Sequence, residues 1–325
     1  MRKTLLLTLI WLSAILSAAN LLPNFCLEHE INRNLGCYYL ALHLLSLVIL
    51  FLPAFEEARF RKCLALLLLA LCGFYLVRLY ALYVPVENPW ASVCQKPGAC
   101  VKLRTFFAHV PKTEDEQGAL VQSITMESPD LLVLVDTPAN LPAGLPTYPF
   151  QARTAQGLVL LSRRQIQGQG EFSLGQDVPG AIMAEVVIGK KRTLQISVID
   201  TYPLRGDALQ KNKLITRRIL TPLKHNDREG VLFASLHATH FSNFYLPFVW
   251  AAKFENAANG FGLWHTWGGT SYFKRFAVDH VLVRGFVAVN RYEVLRLPGM
   301  AHMPVVVELE TPLEVKSAWV MPEAE

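Results

Sequence analysis

The chain has 325 residues, with 31 Lys and Arg against 26 Asp and Glu for a formal net charge of +5, and 52% of its residues are hydrophobic. A mean hydropathy of +0.28 is too high for one soluble domain with an ordinary polar surface and excludes that class. The basic residues are spread thinly along the chain, so the positive net charge does not by itself indicate a surface for nucleic acid.

Three long apolar segments occupy the first part of the chain, at about residues 4–22, 37–54 and 63–84. Each is near the roughly 20 residues that a helix needs to cross a bilayer. The first also has features of a signal peptide, because MRK precedes an apolar run that ends in small residues. Since two more apolar segments follow closely, we interpret all three as retained membrane helices in a transmembrane region of residues 1–85.

The short loops between these segments predict the orientation of the chain. Two basic residues precede the first segment, and FEEARFRK between the second and third contains three more. Basic loops stay in the cytoplasm, so both flanks are expected there. Three crossings then place residues 85–325 outside the cytoplasm, in a periplasm or an equivalent space.

The cysteine positions agree with that orientation. Cys26 and Cys37 lie at the outer side of the first two segments, and Cys94 and Cys100 flank the turn-forming QKPGA in a linker of residues 86–100. Two disulfides on an oxidising side of the membrane would fit this placement. The alternative is that all six cysteines of the chain are unpaired.

After the linker, short apolar runs alternate with turn residues and with two helix-like segments. Several runs have the alternation that is typical of strands. The predicted strands are residues 101–110, 130–137, 157–163, 181–188, 194–200, 231–236, 278–285 and 303–310, and the predicted helices are 114–128 and 207–223. Clusters of strands with interspersed helices indicate an α+β or α/β sandwich.

These segments, in their order along residues 101–310, resemble the endonuclease/exonuclease/phosphatase superfamily, and most of all its bacterial membrane-anchored branch. SPDLLVLVDT resembles the family segment PDIVVLQE, and GLVLLSR resembles its strand ending in LLSR. WHTWGGTSYFKRFAVDHVLVR resembles the TW…IDHVLVS stretch, and GMAHMPVVVELE resembles SDHLPVVVEL. The resemblance implies a four-layer α/β sandwich over residues 101–325, behind a three-helix transmembrane anchor. With the orientation above, it also implies a bacterial inner-membrane protein with a periplasmic C-terminal domain.

The resemblance also implies where site residues lie, and several depart from the family pattern. VLFASLHATHFS aligns with a family segment whose strand end carries Asp and Asn, and Ser235 and His237 occupy those places. LRTFFAHV ends in His109 where the family has Asn, and Asp136 replaces a metal-binding Glu. Tyr202 replaces the catalytic-type His of the THP motif.

Near the end of the domain, one residue of the family pattern is replaced and two are retained. Ala301 replaces the Asp of the SDH motif, whereas Asp279 and His302 match the family dyad in which a carboxylate orients the imidazole at the phosphate. Hydrolysis of this type needs a hard divalent ion held by carboxylates. Without the charges lost at Ser235 and Ala301, the sequence predicts a poor magnesium site.

Two functions follow from these departures. The first is a catalytically degenerate envelope protein that acts in binding or scaffolding and needs no cofactor. The second is an active phosphodiester or phosphomonoester hydrolase with zinc or manganese instead of magnesium. In that case His109, Asp136 and His237 would bind the metal beside His302, with His240 close by. In the degenerate case, His109 and His237 only replace Asn as hydrogen-bonding groups.

An aromatic-rich segment, residues 241–267, contains FSNFYLPFVW and FGLWHTW. Because a membrane anchor is expected nearby, this segment could contact lipid or an envelope protein partner. The alternative is that most of it forms core beneath a long loop. We expect no nucleic-acid partner.

Overall fold

In the computed structural model of the protein, residues 2–20, 34–51, 61–84, 91–172, 180–190, 192–224, 228–268 and 275–314 are described. Their α-helices are α1 (Arg2–Ala19), α2 (Gly36–Leu50), α3 (Arg61–Tyr83), α4 (Ala91–Cys94), α5 (Glu114–Glu127), α6 (Ala208–Lys224) and α7 (Leu246–Trp250).

The three N-terminal helices lie in the three apolar segments of the sequence. They pack on one another through a shared apolar cluster that includes Ile10, Leu47 and Leu68. Among the described residues, α3 alone is long and apolar enough to cross a membrane, with a mean hydropathy of 2.1 in its most apolar window. The apolar parts of α1 and α2, Leu6–Ala19 and Gly36–Leu50, are shorter. The three-helix transmembrane anchor therefore stays a proposal, and the predicted ends of the first two spans lie outside the described residues.

The described residues that follow α4 form two six-stranded sheets. The first has the order β11-β12-β1-β2-β4-β3 and the second β5-β6-β7-β8-β10-β9. The strands are β1 (Cys100–His109), β2 (Leu131–Val135), β3 (Phe150–Arg153), β4 (Val159–Ser162), β5 (Ile166–Phe172), β6 (Ala181–Gly189), β7 (Arg192–Asp200), β8 (Gly230–Ser235), β9 (Glu255–Asn256), β10 (Asp279–Arg284), β11 (Ala288–Val294) and β12 (Val305–Pro312).

Both sheets have the same arrangement at their centre. In the first, β1 pairs in parallel with β2 and antiparallel with β12. In the second, β8 pairs in parallel with β7 and antiparallel with β10. The carboxyl ends of four strands and the starts of β10 and β12 therefore meet at one edge of the sandwich. This edge is where the polar side chains at the strand ends are brought together.

The sheets pack face to face and helices cover their outer faces. Phe107 of β1 and Phe233 of β8 are fully buried and meet between the sheets with ring centroids 5.7 Å apart. Leu120 of α5 packs on the outer face of the first sheet, and Ile215 of α6 packs on the outer face of the second. The predicted α/β sandwich is confirmed as two mixed sheets flanked by helices.

All eight predicted strands and both predicted helices of this part of the chain are present within a few residues of the expected bounds. Four strands are additional: β3, β5, β9 and β11. All four are the outermost strands of their sheets, and β9 has only two residues. An edge strand pairs with a neighbour on one side only and is partly open to solvent. Its sequence therefore lacks a long apolar run, as IQGQGEF in β5 does.

The linker disulfide is confirmed, because Cys94 and Cys100 are bonded to each other. Cys94 ends α4 and Cys100 begins β1, so the bond joins the linker to the first sheet. For the second pair, Cys37 carries a free thiol, and Cys26 lies outside the described residues.

The loop after β8 joins the sandwich to the N-terminal helices, and we call this contact the junction. The buried ring of Phe241 packs into the helix cluster, where a Cβ added at Gly36 would lie 2.6 Å from it. The backbone N–H of Thr239 donates to Asn34 Oδ1 at 2.6 Å. Arg78 of α3 donates to the carbonyl of His240 at 3.2 Å. The sandwich is thus held directly against the apolar helices.

Candidate functional site

The cleft at the shared edge of the sheets is built from strand ends. His109 is the last residue of β1, and Asp136 follows β2 directly. In the second sheet, Ser235 is paired with Asp200 on one side and with Asp279 on the other. The backbone register of the second sheet therefore places Asp200, Ser235 and Asp279 side by side at this edge.

Two cleft residues have an uncommon backbone conformation. Asp136 has φ +55° and His237 has φ +48°, in the left-handed region that side chains with a Cβ rarely adopt. Asp and His are among the residue types that tolerate it best. Such conformations cluster at functional sites, since surrounding structure must hold them in place. Both residues lie at the turn where the chain leaves a strand.

His109 is the centre of the cleft and contacts both sheets. Its Nδ1 lies 2.8 Å from Asp136 Oδ2, and its Nε2 lies 3.1 Å from Asp279 Oδ1. Ser235 Oγ is also 3.1 Å from Nε2. Because each ring nitrogen faces a carboxylate, the arrangement suits a doubly protonated imidazolium that donates on both sides.

Asp279 links two histidines. Its second oxygen, Oδ2, accepts from His302 Nδ1 at 2.8 Å, so the hydrogen bond expected between these residues is present. The His302 ring stacks on the His109 ring with centroids 3.9 Å apart. Since Nδ1 is engaged by Asp279, Nε2 is the nitrogen of His302 that is available to a ligand. Asp279 itself is buried, with 3% of its surface exposed.

The charges in the cleft follow from these contacts. Burial acts to lower the pKa of His109, but the charge of Asp279 and hydrogen bonds to Asp136 and Asp279 outweigh it and raise the pKa to about 10. The hydrogen bond from His109 lowers the pKa of Asp136. Burial acts to raise the pKa of Asp279, but the charges of His302 and His109 hold it well below its ordinary value. A buried imidazolium between two carboxylates results.

Asp200 is a cleft residue that the sequence analysis missed. Its Oδ1 lies 3.4 Å from Nε2 of His237, and this buried oxygen has no hydrogen-bond partner within the described part of the chain. The available signal was its place at the end of the run ISVID, directly before the Tyr202 motif. His237 in turn has its ring centroid 5.6 Å from that of His302. Among the residues that the structure describes, the cleft therefore brings together three histidines and three carboxylates.

Other residues singled out in the sequence lie elsewhere. The Tyr202 backbone exchanges two hydrogen bonds with Asn212 of α6, and its ring lies beneath Lys211. The contacts of His240, which was expected close to the cleft histidines, are with the junction. His240 packs on Phe241 in the junction, with ring centroids 4.1 Å apart. The chain turns away from the cleft after His237, and this separates two histidines that are three positions apart.

The donor atoms of the cleft fit magnesium poorly and zinc better. Magnesium favours a near-octahedral set of oxygen ligands. Both oxygens of Asp279 already accept from histidines, and Asp136 accepts from His109. One ligand atom each from His109, Asp279 and His302 lies within 4.8 Å of the others. Two imidazoles and a carboxylate are a ligand set that zinc accepts.

No protein-family model matches the sequence, and no curated protein matches it. Among solved structures, an endonuclease/exonuclease/phosphatase from Bacteroides vulgatus is similar with a TM-score of 0.53 and 15% identity, over 65% of this chain and 99% of that one. A family protein from Bacteroides thetaiotaomicron gives 0.51 and 14%, over 66% and 97%. A functionally unknown conserved protein from Enterococcus faecalis V583 gives 0.50 and 14%, over 64% and 99%. At these identities the similarity shows the fold alone.

Proposed function

We propose that this protein, which has the endonuclease/exonuclease/phosphatase fold, is a membrane-anchored binding or scaffold protein of the cell envelope without magnesium-dependent hydrolysis. One observation carries the proposal. His109 sits between Asp136 and Asp279, and it engages the carboxylate oxygens that a magnesium ion would need. The cleft thereby balances its buried negative charge with its own cation.

The energetics of proton and metal support the same function. Before any metal can bind His109 Nε2, the proton there must leave. With a pKa of about 10, this costs roughly 4 kcal/mol at pH 7, since each unit is worth about 1.4 kcal/mol. Magnesium, which keeps its water shell and prefers oxygen, gains little in return. Ser235 and Ala301 add no charge that would offset the cost.

The anchor and the location are part of the proposal. The apolar helix α3 supports membrane association, and the Cys94–Cys100 disulfide supports an oxidising compartment. Together with the basic loops of the sequence, they favour a periplasmic sandwich at a bacterial inner membrane.

The test uses the full-length protein purified in detergent. We expect no hydrolysis of bis(p-nitrophenyl) phosphate or p-nitrophenyl phosphate in magnesium, and substoichiometric bound metal by mass spectrometry. The variant Ser235→Asp/Ala301→Asp should bind magnesium more tightly, since it restores two carboxylates. Hydrolysis by the unaltered protein in magnesium that is lost in Asp279→Asn would contradict the proposal.

A second function is favoured by the clustered ligand atoms of His109, Asp279 and His302. It is a zinc- or manganese-dependent phosphoesterase. Zinc binds imidazole nitrogen, a ligand that magnesium does not favour, so zinc offsets more of the cost of removing the His109 proton. A bound ion of this kind would supply Lewis acidity to a phosphate. Asp136 would then hold His109 through Nδ1–H, as carboxylates orient metal-bound histidines.

The two functions are separated by the same assay with other metals. Hydrolysis in zinc or manganese, lost in His109→Ala and retained in a His240→Gln control, would support the phosphoesterase. The control histidine lies in the junction, where it packs on Phe241. Inactivity in every metal supports the binding function.

A further inference from the structure

A cavity of about 610 Å³ lies beside the cleft, at the end of helix α3. This volume is within the range of about 300–1,000 Å³ that is typical of sites for small ligands. The cavity wall is mostly apolar and aromatic, and it includes Tyr83, Phe261, Leu263, Trp264, Leu297 and Met303. Tyr83 is the last residue of α3, so the membrane helix itself contributes to the wall.

The same cavity has a cationic side formed by His265, Arg275 and Arg296. Burial lowers the pKa of His265, and the charges of Arg275 and Arg296 lower it further. Both guanidinium groups are therefore close enough to His265 to affect it. An Arg pair beside an aromatic wall suits a ligand with an anionic head and an apolar body.

The cavity shares a wall with the histidine cleft. Trp267, which lines the cavity, forms a β-bridge with His302 of the cleft. The next residue along this wall, Met303, donates its N–H to the Thr266 carbonyl at 2.6 Å. The cavity and the cleft are thus adjacent.

A second cavity, of about 310 Å³, adjoins the first on the side of the apolar helices. Leu263, His265 and Arg275 line both cavities. The second is also lined by Tyr38 and Ala41 of α2. Together the two cavities are lined by the wall of the cleft and by residues of the apolar helices α2 and α3.

We propose that these two cavities bind a net anionic phospholipid, with its phosphate at Arg275 and Arg296 and an acyl chain against the aromatic wall. The inference rests on the proposed binding function and names its ligand class. Three features favour a lipid over a peptide segment. The space opens to apolar helices, aromatic residues line it, and its polar side carries arginines, which bind phosphate well.

Native mass spectrometry of the full-length protein in mild detergent tests the proposal, with phosphatidylglycerol and phosphatidylcholine as probes. We expect preferential retention of phosphatidylglycerol, and about tenfold weaker binding by Arg275→Gln/Arg296→Gln. The matched control is Lys213→Gln/Arg217→Gln, which removes two exposed cations from α6 and should bind as the unaltered protein does. A further variant, Leu297→Trp, fills the cavity, leaves both arginines in place, and should also weaken binding.

Two results would overturn the inference. One is equal retention of the two lipids, and the other is unchanged retention of phosphatidylglycerol in both cavity variants. Loss of retention in the α6 control would also count against it, because it would indicate nonspecific attraction to charge. Hydrolysis assays in parallel keep the two proposals apart. If the protein binds no lipid and hydrolyses nothing, only the lipid proposal is contradicted. If it shows magnesium-dependent hydrolysis, the proposed function is contradicted, whatever lipid it binds.

Discussion

The cleft and the junction are both built around a buried histidine, and the two histidines have opposite chemistry. His109 in the cleft faces Asp136 and Asp279, and its pKa is raised to about 10. In the junction, burial together with the charges of His280 and Arg78 lowers the pKa of His240 to about 3. At neutral pH the first carries a proton and the second does not. The protonation of a buried histidine is thus decided by its neighbours and not by burial alone.

The difference separates the roles of the two regions. The cleft holds charge of both signs and has the donors and acceptors that a polar ligand or metal requires. In the junction, the neutral imidazole of His240 packs on the Phe241 ring. The Arg78 guanidinium lies 5.6 Å from the centroid of the same ring. Such a contact is suited to packing and to orientation of the sandwich on the helices. Four predictions test this comparison.

The largest effect is expected for Asp279→Asn in the cleft. The substitution removes the negative charge shared by His109 and His302, both of which lie in a buried setting. Removing one partner of a buried ion pair lowers the free energy of unfolding by about 3–5 kcal/mol. Urea unfolding of the full-length protein in detergent should show this loss. Asp207→Asn is the control, since its ion pair with Lys211 is exposed to solvent and contributes little to stability. Equal effects of the two variants would contradict the comparison.

The second prediction concerns alkaline pH. In the folded protein the pKa of His109 is raised to about 10. Its contribution to the free energy of unfolding is therefore fully present below the unfolded pKa of about 6.5, and it is lost as the pH rises through 10. From pH 7 to pH 9 this loss should reach about 3 kcal/mol. His109→Asn should be less stable at pH 7 and show a flatter dependence over this range. Parallel curves for the two proteins would be inconsistent with a charged His109.

The third prediction tests the packing of the junction. In Gly36→Ala, the new Cβ would lie 2.6 Å from the Phe241 ring, which is buried. Overpacking of this kind costs about 1–3 kcal/mol. The matched control is Gly73→Ala in α3, where an added Cβ meets nothing within 4 Å. Thermal unfolding should show destabilisation only at Gly36. A stable Gly36→Ala variant would mean that Phe241 is not held tightly against α2.

The smallest effect is expected for His240 at mildly acidic pH. Its folded pKa is depressed to about 3, so the unfolded chain binds the proton first as pH falls below about 6.5. The contribution of neutral His240 to the free energy of unfolding is fully present above that pH. It should fall by about 1 kcal/mol between pH 6 and pH 5. His240→Gln should remove this part of the slope and leave the alkaline slope of His109 unchanged. An unchanged acid slope in the variant would argue against a neutral His240.

Much of the architecture was predictable because it depends on local patterns. A continuous apolar run such as CLALLLLALCGFYLV favours a helix in any apolar setting, and it forms α3. Runs such as DLLVLV are short, apolar and bounded by turn residues, and this one forms the buried β2. Strand β11, AVNRYEV, was missed because its polar residues face outward at a sheet edge. The Cys94–Cys100 bond was predictable because the two residues flank one turn.

The cleft was only partly predictable. The places of His109, Asp136, Ser235, Asp279 and His302 followed from the resemblance, and these side chains do come together. That their roles are those of a binding site stays a proposal. Asp200 was missed because nothing in ISVID distinguishes a carboxylate at a cleft from one at any strand end. Its relevance appears only when β7 is paired with β8.

By itself the sequence determined the apolar helices, most strands and the linker disulfide, since each depends on residues that are neighbours along the chain. Only the tertiary structure decided the chemistry of the histidines. His109 and Asp279 are 170 positions apart, yet they form the buried pair that holds a proton. His237 and His240 are three positions apart, yet one faces Asp200 and the other faces the helices. A pKa depends on distances between charges in space, and the fold alone sets those distances.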